Sequence, residues 1–169
     1  NININNGGTV NVGTGGTLDI YGNLINNGIF NATLGSLGFK GNSSQSIPAF
    51  TTINVVMNGT GGVVLSGNAT VTGSLTLTAG NTTLGSNDLL LANGSIGSAA
   101  SHVITNGTGS VVASNLAAGN NRIIPVGSDA NSYNPVSITA NNGHVTDNIK
   151  VNLKPGVFIN GVSGNYFTE

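Results

Sequence analysis

The chain has no cysteine and no tryptophan, and few of its side chains carry a charge. Without cysteine it has neither disulfides nor thiolate metal sites, although this leaves the redox compartment open. Charged residues make up 5% of the 169 residues, against about 25% in a typical soluble domain. Neutral polar side chains must therefore keep the surface soluble.

Basic residues are also scarce, and this excludes two classes of partner. Lys40, Arg122, Lys150 and Lys154 are the only ones, so no patch can neutralise several phosphates. We therefore expect no nucleic-acid partner, no attraction to anionic membranes and, since no apolar run approaches roughly 20 residues, no membrane insertion. Position 1 is Asn and no signal-peptide pattern follows, so we expect a processed product or an excised fragment of a secreted protein.

The residue types that are abundant in the sequence favour a folded, all-β chain. Hydrophobic residues make up 38% of the sequence and the formal net charge is −1, whereas disordered chains combine low hydrophobicity with high net charge. Strong helix formers are rare, while Thr, Val and Ile are frequent and 27 glycines recur with Asn as breakers. Helix is therefore disfavoured throughout.

Short strand-like segments alternate with turns at close spacing. Ile2–Ile4, Val10–Val12 and Leu18–Ile20 each place two apolar side chains on one face and one polar side chain on the other. The segments start eight residues apart, and the turns between them contain Gly7-Gly8 and Gly15-Gly16, which accept positive φ with little strain. Similar segments with Asn- and Gly-rich separators continue along the chain, which predicts many very short strands.

Strands at this spacing fit either a β-solenoid or a β-sandwich. Segments this short bury too little by themselves, so successive rungs must support one another, as they do in a solenoid. We expect a β-helix-like solenoid stack over residues 1–121, with stacked Asn side chains bonding along it, and a β-sandwich as the alternative. From residue 122 prolines punctuate longer strands, so residues 122–169 are expected to form a β-rich C-terminal cap or sandwich-like region.

Several segments carry a family resemblance. They are Gly-Gly-Thr-Val-Asn-Val at 7–12, Gly-Gly-Thr-Leu-Asp-Ile at 15–20, the Thr-rich segment 74–89, and Ile-Pro-Val-Gly at 124–127 with Ser-Tyr-Asn-Pro-Val-Ser-Ile at 132–138. Together they resemble the repeats of large secreted cell-surface proteins of Bacteroidota, which are similar to adhesins and use type IX secretion. The resemblance implies a bacterial, extracellular protein with a further strand and a secretion domain beyond Glu169, and it supplies no catalytic residues.

The carboxylates are too scattered to favour catalysis. Glycoside hydrolysis normally needs two of them about 5–10 Å apart. Asp129 and Asp147 could approach each other near Arg122 and His144, but Asp in such contexts usually marks a turn. We expect no enzyme, and a polysaccharide-active β-helix enzyme is kept as an alternative. His102 and His144 lack a third ligand at a recognisable spacing, so neither a metal nor another cofactor is expected.

A short Thr pattern is the sharpest binding signal. Thr70 and Thr72, then Thr76 and Thr78, alternate along two adjacent strands. Stacked rows of this kind can form a flat surface that orders water, as in ice-binding solenoids, whereas ordinary β-propensity with Thr on the wet face is the simpler explanation. The pattern gives an ice- or carbohydrate-binding face as the alternative function.

Aromatic residues give a weaker indication of ligand binding. A sugar-binding surface favours exposed aromatic rings, but Tyr21, Tyr133 and Tyr166 are widely separated in the sequence. Packing in the core or at its rim is therefore the expected role of the tyrosines, and a glycan or other surface ligand stays open as a possible partner.

The sequence therefore predicts an extracellular structural and adhesive module, a stalk or filament of the cell surface. Adjacent apolar pairs suggest that some outward surfaces are covered, either within the chain or by self-association or neighbouring modules of the same surface protein. These pairs are Val55-Val56, Val63-Val64, Val111-Val112 and Ile123-Ile124.

Overall fold

The computed structural model of the protein describes residues 1–155. All regular structure within this range is β, and none of it is a helix that could cross a membrane. The strands are β1 (Ile2–Ile4), β2 (Thr9–Asn11), β3 (Thr17–Ile20), β4 (Leu24–Asn26), β5 (Ile29–Phe39), β6 (Gln45–Ile47), β7 (Phe50–Asn58), β8 (Val63–Leu65), β9 (Ala69–Val71), β10 (Leu75–Ala79), β11 (Thr82–Thr83), β12 (Leu89–Leu91), β13 (Ser95–Ile96), β14 (Val103–Ile104), β15 (Val111–Leu116), β16 (Asn121–Ile124), β17 (Val126–Gly127), β18 (Val136–Thr139) and β19 (Asp147–Val151).

Equivalent strands of successive turns pair in parallel and form three stacks. Stack 1 contains β1, β4, β6, β8, β11, β14 and β17. Stack 2 contains β2, β9, β12 and β15, stack 3 contains β3, β10 and β13, and the long strands β5 and β7 run through both of these stacks. The register advances by 20 residues from Thr9 to Ile29 and again from Leu75 to Ser95.

This topology confirms the predicted all-β solenoid, which has about six turns. It also explains the close spacing of the sequence pattern, since three short strands and three corners share each turn. A β-sandwich is built from antiparallel strands, whereas the stacks here are parallel. Alternate residues of each strand point inward to one continuous apolar core.

Inward columns of the core run along the stacks. In stack 2 one column contains Val10, Phe30, Phe50, Ala69, Leu89 and Val111, and the small Ala69 lies between the larger Phe50 and Leu89. Phe50 also contacts Phe39 of stack 3, with ring centroids 5.9 Å apart. Each turn therefore buries its apolar side chains largely against those of its neighbours.

Asn side chains reinforce the contacts between turns, but within residues 1–155 they bond to backbone groups and to Ser and Thr hydroxyls instead of to one another. Asn68 Oδ1 accepts a hydrogen bond from the Asp88 N–H at 2.9 Å, and Asn81 Oδ1 accepts one from the His102 N–H at 3.0 Å. Stack 1 has no paired ladder between β4 and β6, and there Asn23 Oδ1 accepts from the Ser46 N–H at 2.9 Å. A carboxamide at a corner thus bonds one turn to the next.

The C-terminal part of the described chain joins the solenoid and also covers it. Beyond residue 121, β17 adds a parallel strand to stack 1, whereas β16 and β18 form an antiparallel pair. β19 pairs antiparallel with β15 at the end of stack 2. The division into regions 1–121 and 122–169 stays a prediction, and residues 156–169, with Tyr166 and Glu169, lie outside the described residues.

Candidate functional site

The four predicted site threonines do not share one face. Thr70 lies on stack 2, between Thr51 and Leu90, whereas Thr76 lies on stack 3, between Val56 and Ile96. Thr78 follows on the outer side of β10, where its Oγ1 donates to Met57 O at 2.8 Å. Thr72 lies at the corner between the stacks and its Oγ1 donates to Thr52 O at 3.2 Å. The four threonines therefore lie in separate places on two stacks, and the outward positions next to Thr70 and Thr76 include Leu90, Val56 and Ile96.

The candidate catalytic carboxylates lie on different sheets. Asp129 follows β17, and its carboxylate accepts hydrogen bonds from the Asn131 N–H at 2.8 Å and the Ser132 hydroxyl at 2.9 Å. These bonds hold the pKa of Asp129 below its ordinary value. Asp147 begins β19, opposite Leu116. The short loop bonds of Asp129 are typical of a turn, as the sequence indicated.

His102 is fully buried beneath the loop that contains Asp129. Its Nε2–H donates to the Asp129 backbone carbonyl at 2.8 Å, and its ring packs on Tyr133 at a centroid distance of 5.6 Å. Within residues 1–155 no three His, Cys, Asp or Glu side chains come together in a group that could hold a metal ion. His102 and Tyr133 therefore anchor the C-terminal loop to stack 1.

The adjacent apolar pairs divide between the core and the surface. Val55, Val63, Val111 and Ile124 point inward and are buried. Of their neighbours, Val56, Val64 and Ile123 are exposed, whereas Val112 is covered next to β19. A groove of about 560 Å³ lies beside Val64 and is lined by small, apolar and neutral polar residues without an ionisable group or an aromatic ring.

A smaller groove of about 430 Å³ on stack 3 has richer chemistry. We call it the Gly38 groove, and its lining residues are Thr17, Asp19, Ser36, Leu37, Gly38, Lys40, Asn54, Val56 and Ser74. It forms because the outward column of stack 3 reads Asp19, Gly38 and Val56 on successive turns, so the missing side chain at Gly38 leaves a gap.

Asp19 lies across this gap and reaches Lys40. The Lys40 ammonium donates to Asp19 Oδ2 at 2.6 Å. A Cβ at position 38 would come within 2.1 Å of Asp19 Oδ1, so an alanine there would require the Asp19 carboxylate to move from this position. The hydrogen bond that Lys40 donates to Asp19 is the main reason that the pKa of Lys40 lies above its ordinary value, and the nearby Tyr21 adds to the shift.

Neutral polar side chains line the other side of the Gly38 groove. Asn54 Nδ2 donates to Ser36 Oγ at 3.3 Å, and Asn54 Oδ1 accepts from the Ser74 N–H at 2.9 Å and from its hydroxyl at 3.0 Å. These three residues occupy one outward column on three consecutive turns. They form a row of hydrogen-bonding groups parallel to the solenoid axis.

Tyr21 lies beside the groove and is 69% exposed. It follows Ile20, whose partner Phe39 precedes Lys40, so Tyr21 and Lys40 are neighbours on adjacent turns. The expected packing of this tyrosine in the core or rim is therefore wrong. Sequence reasoning missed the cluster because Asp19 and Lys40 are 21 residues apart, and only the one-turn repeat could have indicated their contact.

Comparison with protein-family models, with curated proteins and with solved structures finds no match to this chain. The resemblance to Bacteroidota surface proteins stays a prediction. The fold and the chemistry of the grooves are therefore the basis for the function proposed below.

Proposed function

We propose that this protein is an extracellular structural and adhesive module that forms a stalk on the cell surface. The observation that supports this proposal most directly is the parallel stack, in which successive turns bond through backbone ladders and share one apolar core. Turns stacked about 4.8 Å apart give six turns an axial length of about 30 Å. When such a unit is joined to other modules, it adds its length and its stiffness to the assembly.

The two ends of the stack differ, and this bears on assembly. Among the strands of residues 1–155, β1, β2 and β3 of the first turn each pair with a strand on one side only. The inward side chains Ile2, Val10 and Leu18 are only partly buried there. Unpaired strand edges with accessible apolar side chains favour pairing with another strand. At the other end β19 and the β16–β18 pair adjoin the last turns.

We take the partner of the first turn to be a second copy of the chain. Since the C-terminal end carries antiparallel strands, a second copy adds through its own first turn, and the two stacks meet head to head. Such a head-to-head contact uses the same surface of both copies, so the assembly is complete with two copies. The proposed stalk is therefore a pair of solenoids sharing one continuous core, and an upstream module of the same surface protein is the competing occupant.

A proline on the open edge tests this assembly. The Val12 N–H donates to Asn31 O at 2.8 Å, so the Asn11 N–H points away from β5 in the alternation of the ladder. We expect wild-type protein in a small-angle scattering dilution series to form an elongated dimer, and Asn11→Pro to remain a monomer with an unchanged β-type circular dichroism spectrum. Asn11→Ala keeps the N–H and should still dimerise.

A wild-type monomer at every concentration would contradict the head-to-head pair and favour an upstream module at this edge. A compact particle would contradict the stalk itself. Antibody labelling of intact cells of the source organism tests the extracellular location separately, and labelling only after lysis would contradict it.

A further inference from the structure

The Gly38 groove brings an ion pair and neutral hydrogen-bonding groups onto one outward face, and the exposed Tyr21 lies beside it, next to Lys40 on the adjacent turn. We propose that the groove, with Tyr21, is a binding site for neutral glycans. This inference names a ligand class for the adhesive role proposed above and rests on that role for its biological setting. The binding chemistry itself depends only on the geometry of stack 3.

The Asp19–Lys40 pair can hold two neighbouring hydroxyl groups of one sugar ring. Both side chains stay about one third exposed, at 37% for Asp19 and 34% for Lys40. The carboxylate keeps free acceptor positions, and the ammonium has three donors, of which Asp19 occupies one. A sugar hydroxyl can therefore donate to Asp19 while its neighbour accepts from Lys40.

The balance of charge favours a neutral ligand. The lining of the groove contains one carboxylate and one ammonium in direct contact. An anionic ligand would be attracted by Lys40 but repelled by Asp19, and a cationic ligand would meet the opposite arrangement. Hydroxyl groups, which donate to one partner and accept from the other, gain from both.

Tyr21, beside the groove, and the row of neutral polar side chains within it can contact the C–H face and the remaining hydroxyl groups of a sugar. The exposed ring of Tyr21 offers a flat apolar platform for the C–H face of a pyranose. Across the groove Ser36, Asn54 and Ser74 present hydroxyl and amide groups along the axis, so a linear chain of sugars can follow successive turns. The volume of about 430 Å³ falls in the range of about 300–1,000 Å³ that is usual for ligand sites.

Affinity electrophoresis in native gels tests the site with three neutral polysaccharides, hydroxyethylcellulose, xyloglucan and galactomannan, and with anionic polygalacturonate. The Asn11→Pro protein serves as the background, so that the result does not depend on self-association. We expect at least one neutral polysaccharide to retard this protein, and Tyr21→Ala and Lys40→Met each to weaken retardation at least tenfold. Lys150→Met removes Lys150–Asp88, the second ion pair found within residues 1–155, and should leave retardation unchanged.

Gly38→Ala is the sharper variant, because it keeps every ligand-binding side chain and displaces the Asp19 carboxylate. It should weaken retardation as strongly as Tyr21→Ala, while thermal unfolding shows that the variant is folded. Three results would overturn the proposal: no retardation by any neutral polysaccharide, retardation by polygalacturonate alone, or unchanged binding of Tyr21→Ala. None of these results would contradict the proposed stalk or its dimerisation.

Discussion

Individual polar residues stabilise this solenoid by crossing from one turn to the next. Gln45 is buried, and its Nε2 donates to the carbonyls of Ile20 at 2.9 Å and Gly22 at 2.7 Å, in the preceding turn. Its Oε1 accepts from the Gly41 N–H at 2.9 Å. A buried amide with three partners satisfies backbone groups that a corner would otherwise leave unpaired.

Glycines act at the same scale by letting the backbones of neighbouring turns approach each other. Gly80 has φ +69°, and a Cβ there would come within 2.3 Å of Gly59 O, whereas Gly85 has φ +59° and open space around it. Both Gly80→Ala and Gly85→Ala put a side chain on a backbone with positive φ, and this strain destabilises the folded state of each variant. Gly80→Ala should lower the free energy of unfolding by about 1–3 kcal/mol more, because it also forces two turns apart.

Urea unfolding of the two glycine variants measures this difference. The matched conformations make Gly85→Ala the control for the backbone cost alone. Equal losses for the two variants would show that the turns can separate at Gly80 without penalty.

Asp88 makes stability depend on pH. Lys150 Nζ donates to Asp88 Oδ2 at 2.8 Å and the Ser110 N–H donates to Oδ1 at 2.9 Å. The lysine bond is the main reason that the pKa of Asp88 lies below its ordinary value. A depressed folded pKa adds stability above the unfolded carboxyl pKa of about 4, and this contribution is lost as pH falls through the folded value.

We therefore expect Asp88→Asn to be less stable than wild type at pH 7, by about 1 kcal/mol or less since Lys150 is largely exposed. The difference in the free energy of unfolding between wild type and Asp88→Asn should become smaller as pH falls below about 4. Urea denaturation between pH 7 and pH 2 measures it. Lys150→Met should show the same narrowing, and a gap that widens in acid would contradict the assigned sign.

At the scale of elements, each strand depends on its two neighbours in the stack. β19 differs from the strands of stack 2, because it is antiparallel and, among the strands of residues 1–155, pairs with β15 alone. Val151 places its side chain against the core opposite Val111, and it is 8% exposed. The strand therefore covers the apolar end of stack 2 without extending the parallel ladder.

Val151→Asp should detach β19 and leave the earlier turns intact. Burying an unpaired polar group costs about 1–3 kcal/mol, which corresponds to roughly tenfold or faster amide exchange in β19 and β15. Amides of β8, β9 and β10 should stay protected, because in a stack only neighbours interact directly. Hydrogen exchange with mass spectrometry resolves these segments, and Val151→Ile is the control. Uniformly faster exchange along the chain would show one cooperative unit.

At the scale of the whole molecule, the solenoid is a repeat without a strict sequence repeat. Val63, Thr82 and Val103 occupy one inward position of stack 1 on three successive turns, although the residue types differ. What is conserved from turn to turn is the alternation of inward and outward side chains and the position of the corners. The strand register therefore repeats from turn to turn, whereas the residue types do not.

Deleting one whole turn should therefore leave a folded protein. Removing residues 63–81 puts Thr82 in the place of Val63, its partner in the register. We expect a cooperative urea transition with a lower m value, since less surface is buried. Removing residues 63–71 instead puts Thr72, a corner residue, in that inward position and should abolish the transition. Equal behaviour of the two deletions would contradict the assigned register.

Much of the local structure follows from the sequence alone. The alternation in Ile2–Ile4 and Leu18–Ile20, the Gly-rich turns and the scarcity of helix formers predict short strands with one apolar face, since side-chain direction in a strand has a period of two residues. The dependence of one rung on the next also follows, because three-residue strands bury too little separately.

Only the tertiary structure decided which side chains share a surface. The Thr70 and Thr76 pairs, close in sequence, separate onto two stacks because the chain turns a corner between them. Asp19, Gly38 and Lys40, which no local pattern relates, come together because strands one turn apart lie side by side. The length of each corner sets that register, and it is determined by packing between turns instead of by residues next to one another in the chain.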